Sequence, residues 1–368
     1  MAEKKIRAVI VGTAHMHCNE IAKYLSEESR SELVAVADTP RIYPETSDKR
    51  YTRNWNLKNI SEHYAPKSYA DYQEMLEKEK PDIAYLLCEN SQKRKIAEEI
   101  AKRGINVVIE KPMTVTAEDA KAICDMKQKY GVQILVNWPV AWRPYLYEQK
   151  AALDSGKYGK LLKLRYLNGH TGPLGRGVKH RGVSEQAEEM TDQERSNTWW
   201  YHTDTGGGAY LDILCYGCYF ARWLFGRMPE DIFASGWNLN TPIGDAEDNI
   251  VATMNYGNAF AIAEGTWTTP RRRIPAGPEL ICTDGVIWCD GSADTGAFIS
   301  ACDILGNDTE LNVQKPKVYP NLPTFYADYV EGKCKIPEML TTEFNYDVIR
   351  MIDAAVRSGK EKKASKPQ

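Results

Sequence analysis

Two short stretches in this sequence carry side chains suited to moving a proton at an alcohol. "VVIEKPMTV" sets Glu110, Lys111 and Pro112 directly behind an apolar run, and "GGGAYLDILCYG" sets Asp212 and Tyr216 four residues apart, on one helical face. A ligand-facing lysine holds a hydroxyl and lowers the pKa of a neighbouring acid. A tyrosine beside it, with an ordinary pKa of about 10, can then take the proton of an alcohol during hydride transfer. Asp212, among Leu211, Ile213 and Leu214, needs a partner if it is buried. Glycines 206 to 208 let backbone pass close to a ligand. The plainer alternatives are a surface lysine before a proline turn and a tyrosine filling core.

A third stretch, "VGTAHMHCNE", admits two readings. As a strand-to-helix turn it would receive a dinucleotide, whose pyrophosphate needs bare backbone N–H groups. The pattern G-x-G-x-x-G then falls on Gly12, Ala14 and His17, with Thr13, His15 and Met16 between them. Asp38, closing the next strand, stands where an acid bonds the adenosine ribose. A carboxylate there repels a 2′-phosphate and favours NAD over NADP, a preference that nearby Arg41 leaves open. Asp38 is otherwise a simple turn residue. As an H-x-H pair, His15 and His17 would instead begin the metal site of a barrel hydrolase. That requires further ligands behind later strands, and His63, His170, His180 and His202 do not follow strands of the first half. The expectation is a dinucleotide turn and no metal.

The elements that must hold these residues alternate in the first part of the chain. "IRAVIVG", "ELVAVAD", "PDIAYLLC", "INVVIEKP" and "VQILVNW" are unbroken apolar strands, separated by helical patterns such as "SQKRKIAEEIAKRG" and "TAEDAKAICDMKQKYG". Continuous apolar strands predict a parallel sheet covered on both faces, a doubly wound domain over 1–137. From 138 the rhythm changes. "KLLKLRYLN", "IFASGWNL", "NIVATMNY", "AFAIAEGTW" and "PELICTDGVIWCD" read as strands of a second, mostly antiparallel α/β domain over 138–360. It includes a long polar stretch around 169–198 and ends in a helix. Residues 361–368 are charged and read as a flexible tail.

Composition narrows the function classes. Forty-seven basic against 50 acidic residues leave a net charge of −3, which points to neither nucleic acid nor an acidic membrane surface. No run of about 18 apolar residues suggests a membrane span, and the short apolar start reads as a strand, not a signal peptide. Nine scattered cysteines fit reduced thiols in a cytoplasmic protein, and Cys215 and Cys218 read as buried thiols rather than a redox or zinc pair. Twenty-one tyrosines and nine tryptophans supply ring-stacking surfaces, though cores use them too.

With "EKP" at 110–112 and "GGGAYLDILCY" later, nearly the whole chain resembles the Gfo/Idh/MocA oxidoreductases, the glucose–fructose oxidoreductase and inositol dehydrogenase group. The resemblance implies a Rossmann domain, and an α/β domain whose open antiparallel sheet supports a homo-oligomer. It also implies a nicotinamide cofactor and redox chemistry at a sugar, glycoside or cyclitol hydroxyl, C3 of a glucoside included. Lys111 would lie beside the nicotinamide and the reacting oxygen, and the family's catalytic aspartate falls on Asp212. Its histidine, four residues later in many members, falls on Tyr216, as in the tyrosine-bearing branch. Asn90 is retained from the family's N-x-x-H segment, where Lys93 replaces the histidine. His202, His170 or His180 is the alternative proton acceptor. His170, His180, Trp138, Trp142 and Trp200, with Trp199, are candidates to face the substrate. A regulator that kept the fold without turnover is the rival function, motivated by the altered glycines.

Overall fold

The computed structural model describes residues 4–368 except 66, 176–182, 184–187, 293–295, 312 and 315–316. Six strands make the first sheet: β1 (Ile6–Val11), β2 (Ser31–Ala37), β3 (Ser68–Tyr69), β4 (Ile83–Leu86), β5 (Asn106–Glu110) and β6 (Ile134–Asn137). They are parallel, in the order β3-β2-β1-β4-β5-β6, the doubly wound arrangement expected from their unbroken apolar runs. Helices α1 (His17–Glu27), α2 (Arg53–His63), α3 (Tyr72–Glu79), α4 (Lys93–Ala101) and α5 (Ala117–Tyr130) connect them. Strand order reverses between β1 and β4, so the crevice beyond their carboxyl ends is where ligands bind such sheets. Gly12 follows β1 at φ +89, and a Cβ there would stand 2.8 Å from the main-chain nitrogen of Cys88. Only glycine fits that turn. Thr116 caps α5 and Gly131 ends it in the left-handed region.

The second sheet has seven strands: β7 (Leu161–Gly169), β8 (Asp231–Trp237), β9 (Asn249–Asn255), β10 (Phe260–Thr266), β11 (Glu279–Cys282), β12 (Gly285–Ser292) and β13 (Gly296–Asp303). Their order is β13-β12-β11-β7-β10-β9-β8, and every pairing is antiparallel except β7 with β10. The segment "PELICTDGVIWCD" is therefore two strands and a tight turn, and β13 follows without an apolar run long enough to announce it. Along β9, Ile250, Ala252 and Met254 are buried while Val251 is exposed, so this sheet has one covered face.

The covering layer includes α6 (Pro144–Asp154) and α8 (Cys215–Phe225), with a short α7 (Asp192–Ser196) before the glycines. α8 lies close to β10, since a Cβ on Gly217 would come within 2.4 Å of the Ala263 methyl. Farther along are α9 (Leu322–Val330) and α10 (Thr342–Glu361). α10 packs against α5 of the first domain and against α8 and β8 of the second, fixing the two domains together. The residues after α10, expected as a flexible tail, run back along the edge strand: Ser365 and Ile232 exchange main-chain hydrogen bonds of 2.9 and 2.8 Å. The unpaired backbone of edge strand β8 gives those polar residues a partner.

Candidate active site

Lys111 follows β5 at its carboxyl end. Its flanking backbone is clamped by Lys93, whose buried ammonium donates to the carbonyls of Glu110 (2.6 Å) and Pro112 (2.8 Å). Burial lowers the Lys93 pKa to about 8. Lys111 Nζ reaches across the domains to Asp212, 2.8 Å from its carbonyl oxygen and 3.0 Å from Oδ1. Asp212 sits in a turn of π-helix, Tyr210–Leu214, immediately before α8. Its other oxygen, Oδ2, accepts from Trp267 Nε1 at 3.0 Å and lies 3.4 Å from His170 Nε2. Burial alone would raise the Asp212 pKa, but Lys111 and His170 outweigh it and hold the carboxyl well below its usual range. Burial likewise opposes the charge on Lys111, and Asp212 more than restores it.

Tyr216 is buried one helical turn beyond Asp212. Its ring centroid lies 4.8 Å from Lys111 Nζ and its edge meets Trp138. Burial pushes its phenol far up, with Lys111 only partly opposing the shift. His170, just past β7, lines the same cavity as Lys111, Asp212 and Tyr216, and its Nδ1 has no hydrogen-bond partner among the described residues. That cavity encloses about 840 Å³ at the carboxyl ends of β1, β5 and β6, and Trp142 and Trp200 stand on its wall.

The turn after β1 contributes both histidines to the cavity. His17 Nδ1 lies 3.0 Å from Glu110 Oε1, and Glu110 Oε2 accepts from Asn137 Nδ2 at 2.9 Å. Burial disfavours the His17 imidazolium, yet Glu110 prevails and raises its pKa; burial, with His17 beside it, keeps His15 neutral. Gly12, Thr13, Ala14 and Met16 are buried, and Trp199 donates to the Ala14 carbonyl at 3.0 Å.

At the expected ribose position Asp38 is already engaged. Arg53 donates from Nε and a terminal nitrogen to its two oxygens, each at 2.9 Å, and also pairs with Glu89. Thr13 N–H donates to Asp38 Oδ1 at 3.0 Å. Burial would raise the Asp38 pKa, but Arg53 holds it down. A dinucleotide fits the open end: the cavity takes a nicotinamide beside Lys111, and Asn90 Oδ1 is a buried acceptor with no partner among the described residues. Asp38, with both oxygens on Arg53, is not among the residues lining that cavity. Gly12, Thr13, Ala14, His15, Met16, His17, Asp38, Asn90, Glu110 and Lys111 would surround the dinucleotide.

Several expected residues lie elsewhere. His202 stacks on Tyr43 at 3.8 Å and its Nε2 meets the Ser196 carbonyl at 2.6 Å, away from the cavity. Trp138 is core: it is fully buried, and its Nε1 donates to Asn345 Oδ1 at 2.7 Å. His180 falls outside the described residues. Cys215 and Cys218 are buried free thiols. Sequence reasoning missed Trp267, Arg53 and Asn137; only Asn137, ending a parallel strand, stood where strand topology places ligands.

A six-stranded parallel domain, joined to a mostly antiparallel sheet across a lysine–aspartate cavity, defines a two-domain oxidoreductase architecture. Residues 6–138 match the oxidoreductase family with an NAD-binding Rossmann fold, and residues 148–288 match the GFO/IDH/MocA C-terminal domain. The chain belongs to this Gfo/Idh/MocA oxidoreductase family, and its first domain is the family's NAD-binding domain. It is similar to the trans-1,2-dihydrobenzene-1,2-diol dehydrogenase of Xenopus tropicalis, at 24% identity over 228 residues, covering 61% of this chain and 62% of the relative. It is also similar to the scyllo-inositol 2-dehydrogenase (NAD(+)) of Bacillus subtilis, at 22% identity, covering 78% and 74% of the two chains. The matches to the first three curated relatives span about three-fifths of those relatives' length. Among solved structures, the aldose-aldose oxidoreductase of Caulobacter crescentus, complexed with glycerol, superposes with a TM-score of 0.73 at 21% identity, covering 99% and 100% of the chains. The WlbA dehydrogenase of Bordetella pertussis, in complex with NADH and UDP-GlcNAcA, also gives 0.73, at 19% identity and 99% coverage of each. These likenesses show the shared fold. No described helix is long and apolar enough to cross a membrane.

Proposed function

We propose that the protein transfers hydride between a nicotinamide and a secondary hydroxyl of a sugar or glycoside, C3 of a glucoside being one candidate position. The observation that carries this reading is the Lys111–Asp212–His170 set facing one cavity large enough for a sugar ring. Bound NAD supplies the hydride acceptor or donor. The chain's own residues handle the proton. With Nε2–H directed at Asp212, His170 presents the lone pair of Nδ1 to take the hydroxyl proton, and Asp212 stabilises the imidazolium that forms. Lys111 Nζ, anchored on Asp212, holds the reacting oxygen and favours its anionic character as the proton leaves. Tyr216, its phenol held protonated by burial, packs the lysine and fills the wall. Trp142 and Trp200 offer ring faces to the sugar.

Nicotinamide absorbance followed with a panel of glycosides and free sugars tests this. Turnover that disappears in Lys111→Ala supports it; no turnover with any substrate, and an unchanged Lys111→Ala, sinks it. The engaged Asp38 and the altered glycines favour the second reading, a regulator without turnover. In that case dinucleotide binding persists while every substrate fails.

The reading extends to assembly and location. Phe233, Val251, Phe260 and Leu162 on the second sheet are exposed, an apolar face suited to a second copy of this chain. Light scattering at micromolar concentration distinguishes an oligomer from a monomer. Nine free cysteines suit a cytoplasmic, reducing setting.

A further inference from the structure

We propose that, in the cofactor-free protein, His15, His17 and Glu110 form a binding site for a divalent first-row transition-metal ion. One donor atom from each residue lies within 4.8 Å of the other two. The 3.0 Å between His17 Nδ1 and Glu110 Oε1 is also the separation of two neighbouring ligands on such an ion, since bonds of about 2.1 Å at roughly right angles set donors about 3 Å apart. An ion pair between His17 and Glu110 accounts for that contact alone. It does not account for the second imidazole, His15, 4.3 Å away by ring centroids, whose Nδ1 accepts from the His17 main-chain N–H at 3.2 Å and whose ring is thereby held beside the same carboxylate.

The surroundings are those of a held ligand set. Glu110 Oε2 is fixed by Asn137 Nδ2, and Asn137 Oδ1 is fixed in turn by Trp142 Nε1 at 3.1 Å. Such outer hydrogen bonds orient metal-binding carboxylates. His15 is wedged edge-on against Trp200 and its burial favours the neutral ring that a metal requires. Lys111 faces the trio, but its charge is matched by Asp212 at 3.0 Å. Two imidazoles and one carboxylate leave further coordination positions. Both histidines line the cavity, so vicinal hydroxyls of a bound polyol would reach those positions. Two imidazoles with one carboxylate suit iron, cobalt, manganese or zinc in the divalent state better than calcium or magnesium.

The proposal goes beyond the oxidoreductase reading and is tested without turnover. Full-length protein, stripped with chelator and freed of dinucleotide, is titrated with cobalt(II) chloride. One equivalent is expected to bind, with a visible ligand-field band and cobalt retained at near one per chain after desalting. His17→Gln and His15→Gln should each weaken cobalt at least 10-fold. His170→Gln, altering the cavity's other histidine, should leave the band unchanged. Circular dichroism verifies that each variant is folded, and Glu110→Gln joins the comparison if it folds. No saturable binding by the wild type, or a band unchanged in His17→Gln and His15→Gln, overturns the site. A failed glycoside assay leaves these cobalt results standing, so the two readings fail separately.

Discussion

Lys111 and Asp212, 101 residues apart in sequence, meet twice: Nζ donates to the aspartate's carbonyl at 2.8 Å and to Oδ1 at 3.0 Å. Both side chains are buried, so removing either alone leaves an uncompensated charge. Lys111→Met should therefore cost about 3–5 kcal/mol in urea unfolding, besides abolishing turnover. Adding Asp212→Leu should recover at least about 2 kcal/mol of the sum of the single effects. Asp212 has a depressed folded pKa, so its contribution is complete above an unfolded value of about 3.9 and fades as pH falls. Lys111 has a raised one, so its contribution is complete below about 10.4 and fades as pH rises. The pair's contribution to wild-type stability should thus be complete between about pH 4 and about pH 10. Additive single effects would show that the two charges are not coupled.

The proton acceptor can be assigned by comparing two variants. His170→Asn removes the ring bound to Asp212 and should lower kcat by about 10²–10⁴-fold with little change in KM. Tyr216→Phe leaves the ring that packs on Lys111 and deletes a phenol that burial keeps protonated, so kcat should fall less than 10-fold. If the larger loss follows Tyr216→Phe, the roles are reversed.

Sequence made the lysine and the aspartate legible because each violated an expectation of its surroundings. Lys111 ended a strand where topology places ligands, and Asp212 stood in an apolar helix without a local partner. What completes the set was not legible. Trp267 follows a strand ending, "EGTW", that reads as core, yet its Nε1 orients Asp212 through a contact 55 residues away. His202 adjoins the glycines in sequence, but two turns of 3₁₀-helix, Trp199–Tyr201 and Thr203–Thr205, carry it outward onto Tyr43. Arg53 opens a polar helix, "RNWNLKNISEH", with no apolar stripe to show which face is covered. The sheets were read from strand runs, whereas β3 spans two residues and carries no such signal.

Asp38 faces two arginines, and the cofactor preference proposed for it can be tested. Arg53 binds both of its oxygens, and Arg41 Nε lies 3.8 Å from Oδ2. With the carboxylate present, a 2′-phosphate meets repulsion and NAD should bind more tightly than NADP. Asp38→Ser removes that repulsion while Arg53 keeps Glu89 as a partner, leaving two guanidinium groups to receive a phosphate. The ratio of NADP to NAD affinity, from fluorescence titration, should rise at least 10-fold. An unchanged ratio would show that the ribose does not reach Asp38.

Glu45 supplies a pH signature for the same region. It is almost fully buried and accepts from the Arg53 main-chain N–H at 2.6 Å. Burial raises its pKa to about 7, although Arg53 opposes the shift. A carboxyl whose folded pKa lies above its unfolded value of about 4.3 binds the proton more tightly when folded. Its contribution is complete below pH 4 and is lost as pH rises to about 7. The full shift corresponds to about 3.5 kcal/mol, and relaxation of the site should reduce this to about 1–2 kcal/mol. Glu45→Gln keeps an acceptor for the Arg53 N–H but cannot ionise. Relative to wild type, it should therefore be more stable at pH 8 than at pH 5 by that amount, measured as urea unfolding at the two pH values. Arg53 and Asp38 stay ionised across this window, and Glu89, whose pKa burial also raises, is present in both proteins, so the difference reports Glu45. Equal variant-to-wild-type gaps at pH 5 and 8 would mean that Glu45 is charged throughout, with Arg53 fully offsetting its burial.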